Sequence, residues 1–502
     1  MNGHLLTSRT LGFRLCSATL AAVLAVLPVA ARAQPMGIPS MGAASSAELS
    51  PMLERTLGDA IMEQGRHDPN YINDPDLNQY LTAMGHKLVA SAPGGPWRIT
   101  VFGVRDPQIN AFTLPGGYVG VNSGLLVSAQ NESELASVLA HEIGHVVQRH
   151  IARGMTQQAQ NSHLMLAAIA GALLAALAGG GDLAMGAAAF GQAAAVDRQL
   201  GFSRQAEQEA DRAGFEMLRR AGYDPQGMVQ MFTLLMKRSG LNEGAGGGAY
   251  MSTHPLSIQR LSDIENRASE LPPVHHRDTD TFWYLRAKLR VVQAQDRQTR
   301  EEALRQLRQD AGSLTGVQRS AAWYGLAYAA WKSNQLDQAD AALQKARAGG
   351  VDSPELACLA IQLASQRGDQ KSARAQAQAA GTRWPDNEAL ALARVDVLQK
   401  AGRDNEAIQF LAQRVAQWPD LAILHRLQAQ SYERLGQKVQ ARRAMAKYYE
   451  QTGALSTAVE QLQQARSLSS NFYTKSELDA QISAIRKRLD TERELLQRFK
   501  RK

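Results

Sequence analysis

The sequence predicts two folded parts in one chain: a mainly helical α+β domain with a small sheet, then an all-α solenoid. Three observations carry this. A His-Glu-x-x-His string at 141–145 lies in an apolar helical pattern and follows a strand-turn-strand pattern. Alanines at 339, 373, 407 and 441 recur with a constant spacing of 34 residues. The chain has 502 residues, too many for one core, so two or three domains are expected.

Composition removes several classes. Apolar content of 44% is ordinary for a globular protein. The net charge of +8 falls to +5 without the three arginines of 1–33. There is no long Lys/Arg run and no aromatic interleaving, so no nucleic-acid partner is read. Cys16 and Cys358 are the only cysteines, and Cys16 lies in a segment expected to be removed. A single remaining cysteine allows no internal disulfide and no cysteine-rich metal site, which leaves His and carboxylate as ligands.

In order along the chain, residues 1–33 read as a cleavable secretory signal. Arg9 and Arg14 precede an apolar run from Leu15 to Ala30, and Ala31-Arg32-Ala33 fits a small-x-small cleavage site. Residues 34–47 read as a flexible leader, and a domain spans 48–270. Met52 to Ile61 and Asp76 to Ala90 pattern as amphipathic helices, and Trp97 to Val104 alternates like a strand. Asn110 to Leu125 reads as strand, Pro-Gly-Gly turn, strand. Gly117, Tyr118, Val119, Gly120, Val121 and Asn122 are expected to form an edge strand free to pair with a substrate backbone. Pro115 favours the edge, and the plain alternative is an ordinary hairpin.

The next helix carries the chemistry. His141 and His145 are four apart, so both face one way one turn apart and can hold two corners of a tetrahedral zinc site. Glu142 reaches water rather than the metal, the general-base arrangement of a zincin-like metallopeptidase. Leu164 to Ala178 and Leu183 to Val196 are apolar but short of a full span. Two buried helices are expected there; a hairpin touching a membrane surface is the alternative. If Ser203 to Gly214 is helical, Glu207 and Asp211 share a face. Glu207 can then be a third ligand and Asp211 can hold the outer nitrogen of a ligating histidine. The bland alternative is a solvated helix face.

These motifs together resemble the CAAX prenyl protease and HtpX-like metallopeptidase family. His141-Glu142-x-x-His145, Glu207-x-x-x-Asp211, the Asn110-Ala111-Phe112…Pro115-Gly116-Gly117 hairpin and Thr253-His254-Pro255 with Arg260 occur in family order over about residues 50–270. The resemblance implies one Zn2+ per chain, held by His141, His145 and Glu207, with Glu142 catalytic. It also makes Asp211 a catalytic-site residue, sometimes described as a proton donor and read here as orienting a ligand. His254 and Arg260 are expected to gate the site or to stabilise the transition state. HtpX-like relatives carry membrane spans and this chain shows none convincing, which points to an exported, soluble branch.

Residues 271–318 are expected to be a helical connector, after Leu271-Pro272-Pro273. Residues 319–474 resemble tetratricopeptide repeats: Gly368, Gly402 and Gly436 share the period of the alanines, with Asn334 in the equivalent place, and Pro385 and Pro419 each stand in Trp-Pro-Asp. Residues 475–502 read as the polar capping helix a solenoid needs. The module order resembles periplasmic proteases of outer-membrane barrel assembly. That resemblance implies misfolded or stalled outer-membrane proteins as substrates, docking of the repeats to the barrel-assembly machinery, and a second role in assisting assembly. Peripheral membrane contact through 164–196 stays open. Two other classes compete: a chaperone or adaptor with a silent or structural zinc centre, and an integral-membrane protease.

Overall fold

The computed structural model describes residues 49–157, 202–241 and 248–501. The expected signal, the leader and the 164–196 stretches lie outside them. Among the described residues no helix is long and apolar enough to cross a membrane.

The N-terminal domain opens with α1 (Pro51–Gly65) and α2 (Pro75–Val89). Each starts on a proline preceded by a capping side chain: Ser50 accepts from the Leu53 N–H and Asp74 from the Leu77 N–H. Four strands follow the chain as β1 (Tyr71–Ile72), β2 (Thr100–Val104), β3 (Ala111–Leu114) and β4 (Tyr118–Asn122). Their order in the sheet is β1-β2-β4-β3.

That order corrects one expectation. The strand at Gly117–Asn122 is interior, parallel to β2 on one side and antiparallel to β3 on the other. All five residues of β4 are buried, as in a strand covered on both faces. Close packing fixes it there. A Cβ on Gly117 (φ +82) would lie 2.1 Å from the Arg98 carbonyl oxygen, and one on Gly120 would lie 2.4 Å from the Phe112 ring. Pro115 sits in the turn between β3 and β4, so it says nothing about which of them is the edge. Among the described residues the sheet ends at β1 and β3, so the edge strand of this hairpin is β3.

Helices α3 (Ser123–Ser128), α4 (Glu132–Val147), α5 (His150–Gln157), α6 (Arg204–Arg220), α7 (Gln226–Leu241), α8 (Gly248–Thr253) and α9 (Ile258–Ser269) complete the domain. Asn131 caps α4 at the Glu134 N–H, Ser203 caps α6 at Ala206, and Ser257 caps α9 at Arg260. Helices α4 and α6 cross closely at two glycines. A Cβ on Gly144 would meet the Ala210 carbonyl oxygen at 2.8 Å, and one on Gly214 would meet Ala140 and His141 backbone atoms at 3.0 Å.

The rest is all-α. Helices α10 (Asp280–Val292) and α11 (Arg297–Ser313) lead into α12 (Gly316–Lys332) and α13 (Leu336–Arg347), α14 (Pro354–Gln366) and α15 (Gln370–Arg383), α16 (Glu388–Lys400) and α17 (Asp404–Gln417), and α18 (Ile423–Arg434) and α19 (Lys438–Thr452). α20 (Leu455–Leu468) and the 30-residue α21 (Phe472–Arg501) end the array. Ala339, Ala373, Ala407 and Ala441 are buried where helices meet. Asn334, Gly368, Gly402 and Gly436 all have positive φ, so the periodic residues mark one recurring left-handed turn. The solenoid comes back to the first domain, and hydrogen bonds mark two of the places. Gln79 bonds the Asp386 carbonyl and the Glu388 N–H, and Arg66 donates to the Thr452 carbonyl.

Candidate metal centre

Helices α4 and α6 bring three ligand-type side chains together, and the segment after α8 adds a fourth. His141 Nε2 and His145 Nε2 are 3.0 Å apart. Glu207 carboxylate oxygens lie 3.4 Å from the first and 3.6 Å from the second. His254, just past α8, places Nδ1 3.0 Å from Glu207 and 3.4 Å from His141 Nε2. All four are buried, and one donor atom from each lies within 4.8 Å of the others.

The outer nitrogens decide what the inner ones offer. His141 Nδ1 is 2.9 Å from Asp211 Oδ1, a carboxylate that can only accept, so the proton sits on Nδ1. His145 Nδ1 faces His150 Nδ1 at 2.9 Å. With both outer nitrogens donating, the two Nε2 lone pairs converge on each other and on a carboxylate. A dry pocket of lone pairs and negative charge suits a cation, so the residues fit a metal ion.

Beside this cluster, Thr113 Oγ1 on the free edge strand β3 donates toward Glu142 Oε2 at 3.0 Å and lies 3.1 Å from the Glu142 carbonyl oxygen. The other carboxylate oxygen, Oε1, lies 3.4 Å from His254 Nε2, and among the described residues neither atom has a hydrogen-bond partner. Glu142 is buried.

Arg260 requires a correction. It was expected at the gate or at the developing negative charge, but its guanidinium is engaged by Asp211, Glu207 and the Pro255 carbonyl. It binds Asp211 twice, at 2.6 and 2.7 Å, and approaches Glu207 Oε2 at 2.8 Å and the Pro255 carbonyl at 2.9 Å. The cap at Ser257 starts α9 so that Arg260, in its first turn, reaches under α6. Its charge is spent on holding two carboxylates in place.

The electrostatics follow from these partners. Burial alone would lower the His141 pKa, but hydrogen bonds and charge from Asp211 and Glu207 raise it to about 9, so a metal ion bound here would take the place of the proton on Nε2. Burial drives His145 well below the usual imidazole range, and the neighbouring imidazoles reinforce this against Glu207. Burial would raise Glu207 and Asp211; His254 and His141 reverse it for Glu207, and Arg260 and His141 for Asp211.

His141, His145, Glu207 and His254 are therefore together, with Asp211 behind His141 and Glu142 alongside. Gly117–Asn122 is one strand removed. Sequence reasoning missed Thr113, Tyr250 and His150. Tyr250 stacks on His254 with ring centroids 4.7 Å apart, and its hydroxyl has no hydrogen-bond partner among the described residues. An aromatic or a threonine in a strand or helix pattern gives no signal of such a place.

Comparisons agree with the geometry. Residues 75–268 match peptidase family M48. The β-barrel assembly-enhancing protease of Escherichia coli K12 is 32% identical over 468 residues, which is 92% of each chain. A Vibrio cholerae relative is 42% identical over 248 residues, so the match spans about half of each protein, 49% of this chain and 51% of that one. The metalloprotease LoiP of Escherichia coli is 30% identical over 189 residues, 38% of this chain and 69% of that one.

Proposed function

Because the chain belongs to peptidase family M48, alongside the β-barrel assembly-enhancing proteases, we propose that it is a periplasmic zinc endopeptidase that removes misfolded or stalled outer-membrane barrel proteins and assists their assembly. That it is a metalloprotease follows from the family. The observation that carries the zinc reading is the buried convergence of His141, His145 and Glu207 on one point with Glu142 beside it. A donor set of two imidazoles and one carboxylate suits a catalytic zinc, one ion per chain.

A zinc ion there supplies Lewis acidity, which makes water nucleophilic near neutral pH and polarises a peptide carbonyl. The chain's own residues do the rest. An extended substrate pairs with β3, the free edge, and is thereby laid along α4. Glu142, held by Thr113, takes the proton of the attacking water and returns it to the leaving amine. Asp211 keeps His141 in the tautomer that presents Nε2, and Arg260 keeps Asp211 and Glu207 ionised and in place. His254 belongs to the same donor cluster. Its place there supports a resting brake, a fourth ligand that must withdraw before water and substrate enter. The solenoid docks to the barrel-assembly machinery, in keeping with the relatives that share both parts over 92% of their length.

Metal analysis and casein cleavage, run side by side on wild type and Glu142→Gln, test the reading. One zinc in each protein and cleavage only by wild type is expected. Equal cleavage by Glu142→Gln would end the general-base assignment. Loss of assembly function on chelation but not on Glu142→Gln would favour a chaperone with a structural zinc.

A further inference from the structure

One buried imidazole has no place in the mechanism above. His150 is 2% exposed and stands five residues after His145. On an unbroken helix five residues carry a side chain about 140° round the axis, away from the metal face. The chain avoids this by breaking. Helix α4 stops at Val147, and Arg149 adopts φ +53, the left-handed region that is strained for a non-glycine residue. Arg149 is pinned there by bonds from its guanidinium to the Leu49 carbonyl at 2.7 Å and to Glu54 at 3.3 Å. Helix α5 then restarts at His150 with its ring back beside His145.

The contacts of His150 form a chain. Its Nδ1 lies 2.9 Å from His145 Nδ1, and its Nε2 lies 3.2 Å from Glu209 Oε2. Glu209 can only accept, so the His150 proton is on Nε2 and its Nδ1 is an acceptor. His145 must then donate from Nδ1, and its Nε2 is left bare toward the metal. Glu209 is in turn held by Arg153 at 2.5 Å and by Gln205 at 3.0 Å. Phe202 stacks on the His145 ring at 3.9 Å and closes the remaining side.

We infer that His150 is a positioning residue: it fixes the tautomer and tilt of His145, and Glu209 ties it to the helix that carries Glu207. The centre then has two outer braces. Behind His141 stand a carboxylate and an arginine; behind His145 stand a neutral imidazole, a carboxylate and an arginine. A neutral acceptor draws less electron density into the ring than a carboxylate does, so His145 is the weaker and more adaptable of the two histidine ligands. The strained Arg149 is explained by the same requirement, since relaxing it to a helical φ would carry His150 away.

The inference rests on the zinc reading, and the test separates the two. Zinc affinity is measured by chelator competition on the full chain, with melting of the metal-free protein as a check on folding. Glu207→Gln must weaken zinc strongly; if it does not, the zinc reading itself fails. With that control in place, His150→Ala is expected to weaken zinc by about 10–100-fold. His150→Asn, whose side-chain oxygen can still accept from His145, should recover the greater part of the loss. Affinity of His150→Ala within threefold of wild type overturns the proposal, as does an Asn variant no tighter than the Ala variant. If the Ala variant does not keep its fold, His150→Leu, which fills the space without an acceptor, is read against the same bounds.

Discussion

Replacement of Arg260 by methionine tests the site more sharply than any ligand change. The side chain is 3% exposed and makes four contacts, three of them to carboxylates and one to the Pro255 carbonyl. Methionine fills much of the volume but leaves Asp211 and Glu207 as buried anions with one cation fewer. Breaking a buried ion pair from one side costs about 3–5 kcal/mol. For a domain of this size that is a fall of roughly 6–20 °C in the melting midpoint of the metal-free protein. The loss should also depend on pH. Asp211 is held below its ordinary 3.8, since Arg260 and His141 more than reverse the upward push of burial. A depressed native pKa stabilises the fold above that ordinary value and loses this as pH falls through the native value. Without Arg260 the depression shrinks, so acid unfolding should begin at a higher pH. Zinc affinity should fall by about 10–100-fold because the orienting shell is loosened. Calorimetry, an acid titration followed by circular dichroism, and chelator competition read these three effects. The reasoning is refuted if Arg260→Met melts within 2 °C of wild type and binds zinc within threefold, yet turns over about a hundred times more slowly. That pattern would return Arg260 to the developing negative charge.

Gly214→Ala places a methyl against α4 backbone at 3.0 Å, so α6 must retreat; about 1–3 kcal/mol of stability and a weaker zinc site are expected, read by melting and chelator competition. Ala407→Leu overpacks a fully buried solenoid contact at a similar cost, and should reduce co-purification of partners while casein cleavage survives. A chain ending at residue 270 should fail to give a cooperative melt, whereas one ending at residue 293 should melt cooperatively and bind zinc.

The cluster of candidate ligands was legible because helices repeat. His141 and His145, like Glu207 and Asp211, are one turn apart, and a four-residue spacing survives folding unchanged. The solenoid was legible for a related reason: a left-handed turn demands Gly or Asn each time, and so Asn334, Gly368, Gly402 and Gly436 fall in phase. What depended on distant partners was not legible. A hairpin can be read from Pro115-Gly116-Gly117, but pairing of β4 with β2 is a parallel, non-local contact with no mark in the residues. The free edge therefore went to the wrong strand of the hairpin. Arg260 was recognised as belonging to the site, yet its role depends on where α9 lies under α6. His150 was hidden by Arg149, because helical periodicity gives the wrong direction for any residue beyond a break.

The boundary between the two parts is a helix that belongs to both. Residues 271–318 were expected to connect the domains; the structure makes α10 a wall of each. Phe282, Leu285 and Leu289 form one stripe and are buried in the core of the first domain. Tyr284 and Ala287, with Val291 packed against them, form the opposite stripe and belong to the first solenoid core. The three residues of the inner stripe are each worth roughly 1.5–3 kcal/mol of burial, which a cut at 270 would forfeit. Polar contacts reinforce the same seam. Lys288 bonds Asp74 at 2.5 Å and Asp76 at 3.1 Å at the start of α2. Glu132, in the first turn of the helix that carries His141 and His145, accepts from the Thr279 N–H and hydroxyl and contacts His276 at 3.0 Å. Thr279 in turn caps α10. One side chain thus joins the start of the metal-bearing helix to the start of the solenoid. The repeats are thus joined to the start of α4 through Glu132 and α10, a packed and hydrogen-bonded seam.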